Sequence, residues 1–331
     1  MADIWSQLVS TTEQSPSFDC ALYPIEDQQV ISVAGPDSKK FMQGQFTCNL
    51  NDISPSQFRL GSCCNAKGRM VASFTLLQQQ EAHYLLSLDR SIADALLTHL
   101  KKYMVFFKTK MQVSETLMAG IQGPQAYEAL ASVFSQVPSE EFAQVNEHGH
   151  TLVKLPHGAG FQLWLAPEQA KATLTALLSK CTLSTNTLWN ENRIRHGIGH
   201  VSAGTQEALI PQMINLTQNG GISFNKGCYT GQEIVARMQY LGKLKRHMYR
   251  IGFDAQVAIN SGDDVFVSGQ TNSVGTVIES VRVNAQQQAL VVLEDKALPH
   301  LAEGAIFAGP NQAIAKELLS LPYDVVIEQP E

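Results

Sequence analysis

The chain has 331 residues, 44% of them apolar and 16% charged, with a net charge of −6. That length supports a sizeable core in two or three domains, and the composition is that of an ordinary soluble globular protein. The acidic balance argues against a protein that coats nucleic acid, and no apolar run approaches the roughly 18 residues a membrane span needs.

The start, Met1-Ala-Asp-Ile-Trp-Ser-Gln, has neither a basic nor an apolar leader segment. The six cysteines, Cys20, Cys48, Cys63, Cys64, Cys181 and Cys228, form no C-x-x-C pair. That spacing predicts neither a disulfide framework nor a zinc ribbon, so the expectation is a cytoplasmic protein with reduced thiols and no membrane partner. The first seventeen residues, with Ser15-Pro16-Ser17, read as a loose arm.

Val30–Val33 predicts a strand, followed by a short helix from Asp37 or Ser38 that Gly44 stops. Phe41-Met-Gln-Gly-Gln-Phe-Thr-Cys-Asn49, which contains Gln43, reads either as a ligand-facing loop or as an ordinary helix end. Leu60–Leu77 predicts two strands around an Asn65-Ala-Lys-Gly68 turn. Tyr84–Leu88 is a further strand and Ser91–Lys102 a helix. In Lys101–Lys110, lysines flank aromatics, a pattern that can bind single-stranded nucleic acid. The expectation there is an element edge with the aromatics turned inward.

Met118–Gly123 predicts a strand and turn, and Pro124 leads a helix with Tyr127, Leu130 and Phe134 on one face. Phe161–Leu165 is a buried strand, Pro167–Ser179 a helix, and Leu188–Gly199 another whose polar face holds Glu191, Arg193, Arg195 and His196. His196 and His200 are separated by glycines and predict no metal pair. No G-x-G-x-x-G or Walker A loop follows a strand, which excludes those nucleotide sites. Beyond Leu241 comes a basic hinge (Lys243, Lys245, Arg246, His247, Arg250), then five or six short strands that predict a small barrel or sandwich.

The densest chemistry lies in Gly220–Glu233. Thr230-Gly-Gln-Glu233 fits a capping box, with Tyr229 as a staple on Ile234. Cys228 would then sit just before a helix start, two residues from Lys226, and both would favour its thiolate. A buried structural cysteine is the alternative, but two flanking glycines and a lysine are poor core material.

Lys226-Gly-Cys-Tyr-Thr-Gly-Gln-Glu233 resembles the signature of YgfZ-type folate-binding proteins, relatives of the glycine-cleavage T-protein. The resemblance extends through Phe41–Thr47, Leu100–Phe106, Trp189, Pro211-Gln and Asn215-Leu216, over roughly residues 25–315. It implies an α+β, T-protein-like fold: two α/β portions around a central cleft within 1–240, and a C-terminal β-barrel in 241–331. It further implies tetrahydrofolate or a related reduced folate as cofactor, and a role supporting iron–sulfur enzymes or assembly factors and, indirectly, tRNA thiolation. Cys228 matches the motif cysteine, with Lys226 as its pKa-lowering neighbour. Trp189 matches a folate-stacking tryptophan. Gln28 stands where a second one falls, and Tyr229 and Gln43 complete the expected cofactor-binding set. An Arg stands at 195, around which T-proteins carry an acidic residue that grips the pterin. Ala72 and Ser73 replace the paired aspartates of the transferase, so the resemblance implies an accessory protein and not a conventional enzyme. A one-carbon transferase or a factor that binds tRNA directly is the alternative.

Overall fold

The computed structural model describes residues 2–9 and 19–325. It has three β-layers. A five-stranded antiparallel sheet runs in the order Arg59–Cys64, Met70–Gln80, His83–Asp89, Gln28–Ala34, Lys110–Val113. A six-stranded mixed sheet runs Thr182–Leu183, Ala21–Pro24, Leu117–Gln122, Phe161–Leu165, His150–Lys154, Gln144–Glu147. Arg246–Phe253, Gln286–Glu294, Gly275–Val283, Asp264–Val267, Ile306–Ala308 and Ala313–Leu319 close into a barrel. The α+β expectation and the barrel are both met. Among the described residues, no helix is long and apolar enough to cross a membrane.

The barrel strands Arg246–Phe253 and Gln286–Glu294 bury residues on both faces because each face meets a core. Met248, Leu290 and Val292 join the large core of the five-stranded sheet, while Tyr249, Ile251, Ala289 and Val291 fill the barrel. That alternation welds barrel to body. The helix Ala93–Met104 buries Ala93, Leu96 and Leu100, a spacing of three then four that keeps them on one face. In the Asn65–Gly68 turn, Gly68 has φ +70, and a side chain there would meet Ile234 at 2.8 Å. Glycine alone fits that approach.

Several expectations are corrected. Residues 2–9 form a helix, not an arm, with Trp5 and Leu8 buried against the six-stranded sheet; Ser15-Pro16-Ser17 lies outside the described residues. Cys20 and Cys181 form a disulfide. The parallel pairing of Ala21 with Thr182 sets the preceding residues side by side, 161 positions apart in sequence, where spacing gives no signal. Tyr127 is half exposed and leaves the predicted apolar face. Arg246, His247 and Arg250 belong to the first barrel strand and not to a hinge. The closing strand, Ala313–Leu319, escapes the sequence reading because Ala, Lys, Glu and Leu are helix formers. Phe106 points outward, 93% exposed.

Candidate functional site

The Lys226–Glu233 loop is clamped at both ends against the segment that follows the helix Ser38–Gln43. Lys226 Nζ donates to the carbonyls of Phe46 (2.7 Å) and Cys48 (2.8 Å) and lies 5.1 Å from the centre of the Tyr229 ring. The Thr230 amide donates to Gly44 O, and its hydroxyl to Gln45 Oε1 at 3.2 Å. The capping box is therefore corrected. Gly231, at φ +84, is the cap of the helix Gln232–Tyr240, and Gln232 Oε1 reaches back to the Tyr229 amide. A side chain at Gly231 would meet Asn65 O at 2.5 Å, which is why the turn against the first sheet demands glycine. Leu241, at spacing three from Met238 and so expected on the apolar face of this helix, is 84% exposed.

Between the clamps, a side chain added at Gly227 would meet open space, and Cys228 is free and exposed. The other free cysteines are buried: burial pushes Cys48 up to about 11, Cys64 up to about 12 and Cys63 well above its ordinary value. Cys228 is thus the accessible thiol among the described residues. Two of the three Lys226 donors are held by backbone carbonyls, so the side chain also clamps its own loop.

Burial lowers Lys226 to about 8, with Cys48 pulling the other way. A base depressed in the folded state binds fewer protons there than when unfolded, between pH 8 and its ordinary 10.5. Stability contributed at this site should therefore rise with pH across that window and be flat below it. Urea denaturation at pH 7.5 and 10 is expected to show that increment in the native chain and to lose it in Lys226→Met; equal pH dependence in both would refute the assignment.

The structure does not bring the expected cofactor residues together. Gln43 spends both ends of its amide on the loop below it, accepting from the Leu50 amide at 2.7 Å and donating to Asn49 Oδ1 at 3.0 Å. Tyr229 is buried, and burial pushes its hydroxyl well above its ordinary value. Gln28 is buried in the first sheet, accepts from the Ser87 hydroxyl and lines a separate 310 Å³ pocket with Trp5, Arg90 and Met118. Gln43 is spent on a buried backbone amide, whereas the Gln28 amide nitrogen and the Tyr229 hydroxyl are buried without a partner.

Trp189 is corrected in place. It is fully buried, its ring flat against Gly120, where an added Cβ would lie 2.3 Å from Cε3. Tyr23 covers it, with ring centres 5.6 Å apart, and Tyr23 lines an open cleft of about 730 Å³. The cleft wall also carries Tyr127, Lys154, Glu191, Asn192 and Arg195. Trp189 is the floor; Tyr23 is the ring presented.

Glu191 and Arg195, one turn apart on the helix Asn186–Arg195, form a 2.9 Å ion pair, and Gln288 of the barrel donates to Glu191 at 3.1 Å. The cleft therefore offers a carboxylate beside a guanidinium. Sequence reading placed these residues on a polar face, with 195 near a pterin-gripping position by resemblance, and missed Tyr23; the i,i+4 acid–base pair is a further signal for the wall.

At the junction of the layers, Ala72 and Ser73 are buried, and Ser73 Oγ accepts from the Val201 amide at 2.9 Å. The cavity that Ser73 shares with Gly61, His200 and Asn219 measures about 10 Å³, so the expected central cleft is closed there. Arg193, expected on a polar face, is buried instead. It pairs with Glu279 of the barrel and lies 3.7 Å from Asp27. Burial works against its charge, but the Glu279 and Asp27 carboxylates outweigh it and hold Arg193 above its ordinary value.

Two sheets and a closed barrel joined through one core give the chain the aminomethyltransferase T fold. The crystal structure of glycine cleavage system aminomethyltransferase T from Bartonella henselae superposes with a TM-score of 0.70 at 19% identity, covering 92% of this chain and 86% of that one. Residues 5–156 match the GCVT N-terminal domain family. The chain is 33% identical over 321 residues to the tRNA-modifying protein YgfZ of Colwellia psychrerythraea, covering 88% of this chain and 98% of that protein. It is 32% identical over 308 residues to the protein of the same name from Escherichia coli O7:K1, covering 92% and 93%. The chain belongs to the YgfZ family.

Proposed function

We propose that this chain is a folate-binding accessory protein that supports iron–sulfur enzymes or their assembly factors, and through them tRNA modification, with Cys228 as its working thiol. The observation that carries the reading is an exposed Cys228 on a loop clamped at both ends, beside the absence of a carboxylate at Ala72 and Ser73 in the strand Met70–Gln80. A transferase needs a group to stabilise charge beside its folate, and two buried uncharged side chains cannot supply one.

The cleft residues fit a reduced folate. Such a ligand presents a flat pterin with an N–H edge, an aromatic linker and an anionic tail, and supplies one-carbon chemistry when bound. Glu191 would accept from the pterin edge, Tyr23 would stack on a ring, and Arg195 and Lys154 would neutralise the tail. On this reading, residues 1–240 carry the folate site, and the barrel in 241–331 backs it through Gln288.

The test is replacement of Cys228 by alanine in cells that lack the native chain. Thiolated tRNA nucleosides, measured by mass spectrometry, should stay at the level of the deletion strain, while the purified variant keeps native stability within about 0.5 kcal/mol, as expected of an exposed site. Full restoration of thiolation by Cys228→Ala would remove the cysteine from the account.

A further inference from the structure

We infer that the ridge formed by residues 101–110 is a docking surface for a single-stranded segment of RNA, placed to deliver that segment toward the Cys228 loop. The C-terminal turn of the helix Ala93–Met104 and the residues after it expose Tyr103 (38%), Val105 (73%) and Phe106 (93%). A phenylalanine so exposed gains nothing from folding and offers both ring faces to a stacking partner.

Its surroundings are cationic. Lys101, Lys102, Lys108 and Lys110 are exposed in the same segment, and Lys39 and Lys40 on the helix Ser38–Gln43. That helix is fixed to the ridge by the Asp37 carboxylate on the Lys108 amide (2.7 Å), the Ser38–Thr109 hydroxyl pair (2.7 Å) and Phe41 against Phe107 (5.3 Å). Among the described residues none of these six lysines enters an ion pair. In a chain of net charge −6, six unpaired lysines around an exposed ring are a local inversion of the field. Lysines for phosphates and aromatics for base faces are what a single strand requires.

The geometry links this surface to the thiol. A six-residue helix is about 9 Å long. One end of Ser38–Gln43 holds the ridge, and the residues just past the other end, Gly44–Phe46, hold the Cys228 loop. A strand lying along the helix from Phe106 would thus run toward Cys228. The choice of RNA over other polyanions rests on the proposed role in tRNA modification; the surface argument stands apart from the folate site.

The experiment is fluorescence anisotropy of the full chain with a labelled, unstructured RNA of about twelve nucleotides, within the usual range of single-strand sites. Phe106→Ala is expected to weaken binding roughly ten- to a hundred-fold. Replacing Lys101, Lys102 and Lys108 by Gln should flatten the plot of log affinity against log salt by about two, at roughly 0.7 per lost phosphate contact. Tetrahydrofolate binding, read by tryptophan fluorescence in the same variants, should not change, so failure of the folate reading and failure of this one register separately. Unchanged RNA affinity in Phe106→Ala, or an unchanged salt slope in the lysine variant, would overturn the proposal. So would variants that lose binding to phosphatidylserine vesicles while keeping RNA, which would assign the ridge to a membrane surface.

Discussion

Arg193→Met is expected to lower the unfolding free energy by about 3–5 kcal/mol, measured by urea denaturation at pH 7. The guanidinium lies inside the molecule, paired with Glu279 from the barrel and near Asp27, just before the strand Gln28–Ala34. Removing it takes the cation from Asp27 and from Glu279, whose carboxyl is held up at about 7 by burial even beside Arg193, and Asp89 and His200 line the same pocket. His200 offers no compensation, because burial, followed by the charge of Arg193, pushes it well below its ordinary value. The double variant Arg193→Met, Glu279→Leu should recover much of the loss, since an apolar pair of similar volume can replace a buried ion pair. A loss under about 1 kcal/mol in the single variant would mean the pair contributes little to holding barrel and body together.

Trp189→Ala is the second large effect, about 3–5 kcal/mol, the usual cost of truncating a fully buried tryptophan. The indole fills the space that Gly120 leaves open, so truncation empties a site the sheet cannot close, and Gly120→Ala should fail for the reciprocal reason. Trp189→Phe keeps most of the volume and should remain folded. Urea denaturation of the three variants checks the order. A Trp189→Ala chain as stable as the native one would return the residue to the role of an exposed platform, contrary to its full burial.

Trp189 also shows where the sequence stops being legible. Glycine marks the end of a helix in Leu188–Gly199, and the structure places that helix at Asn186–Arg195, capped by Thr185 through the Leu188 amide. Which of its residues turn inward is decided by partners more than sixty residues away in sequence, Gly120 for Trp189 and Glu279 for Arg193. Arg193 therefore turns inward toward Glu279, and the Glu191–Arg195 pair becomes a cleft wall. The barrel strands were readable from alternation and turns, apart from Ala313–Leu319, whose helix-forming residues are overruled by pairing with Arg250–Phe253. In the motif, the T-x-x-E pattern suggested a cap, yet the left-handed Gly231 starts the helix one residue later and sends Thr230 to Gln45. The prominence of Cys228 was legible because glycine and lysine neighbours are poor core material. The clamp that holds its loop out was not, since its acceptors are backbone carbonyls 178 and 180 residues upstream.

The most direct test of folate binding in this cleft is a titration with tetrahydrofolate followed by tryptophan fluorescence. Trp189 lies directly beneath Tyr23, so a ring stacked on Tyr23 should change its emission. The native chain is expected to saturate, and Tyr23→Leu together with Glu191→Gln to lose most of the signal while remaining folded. No binding at millimolar tetrahydrofolate, or binding untouched by both substitutions, would contradict the assignment of the cleft.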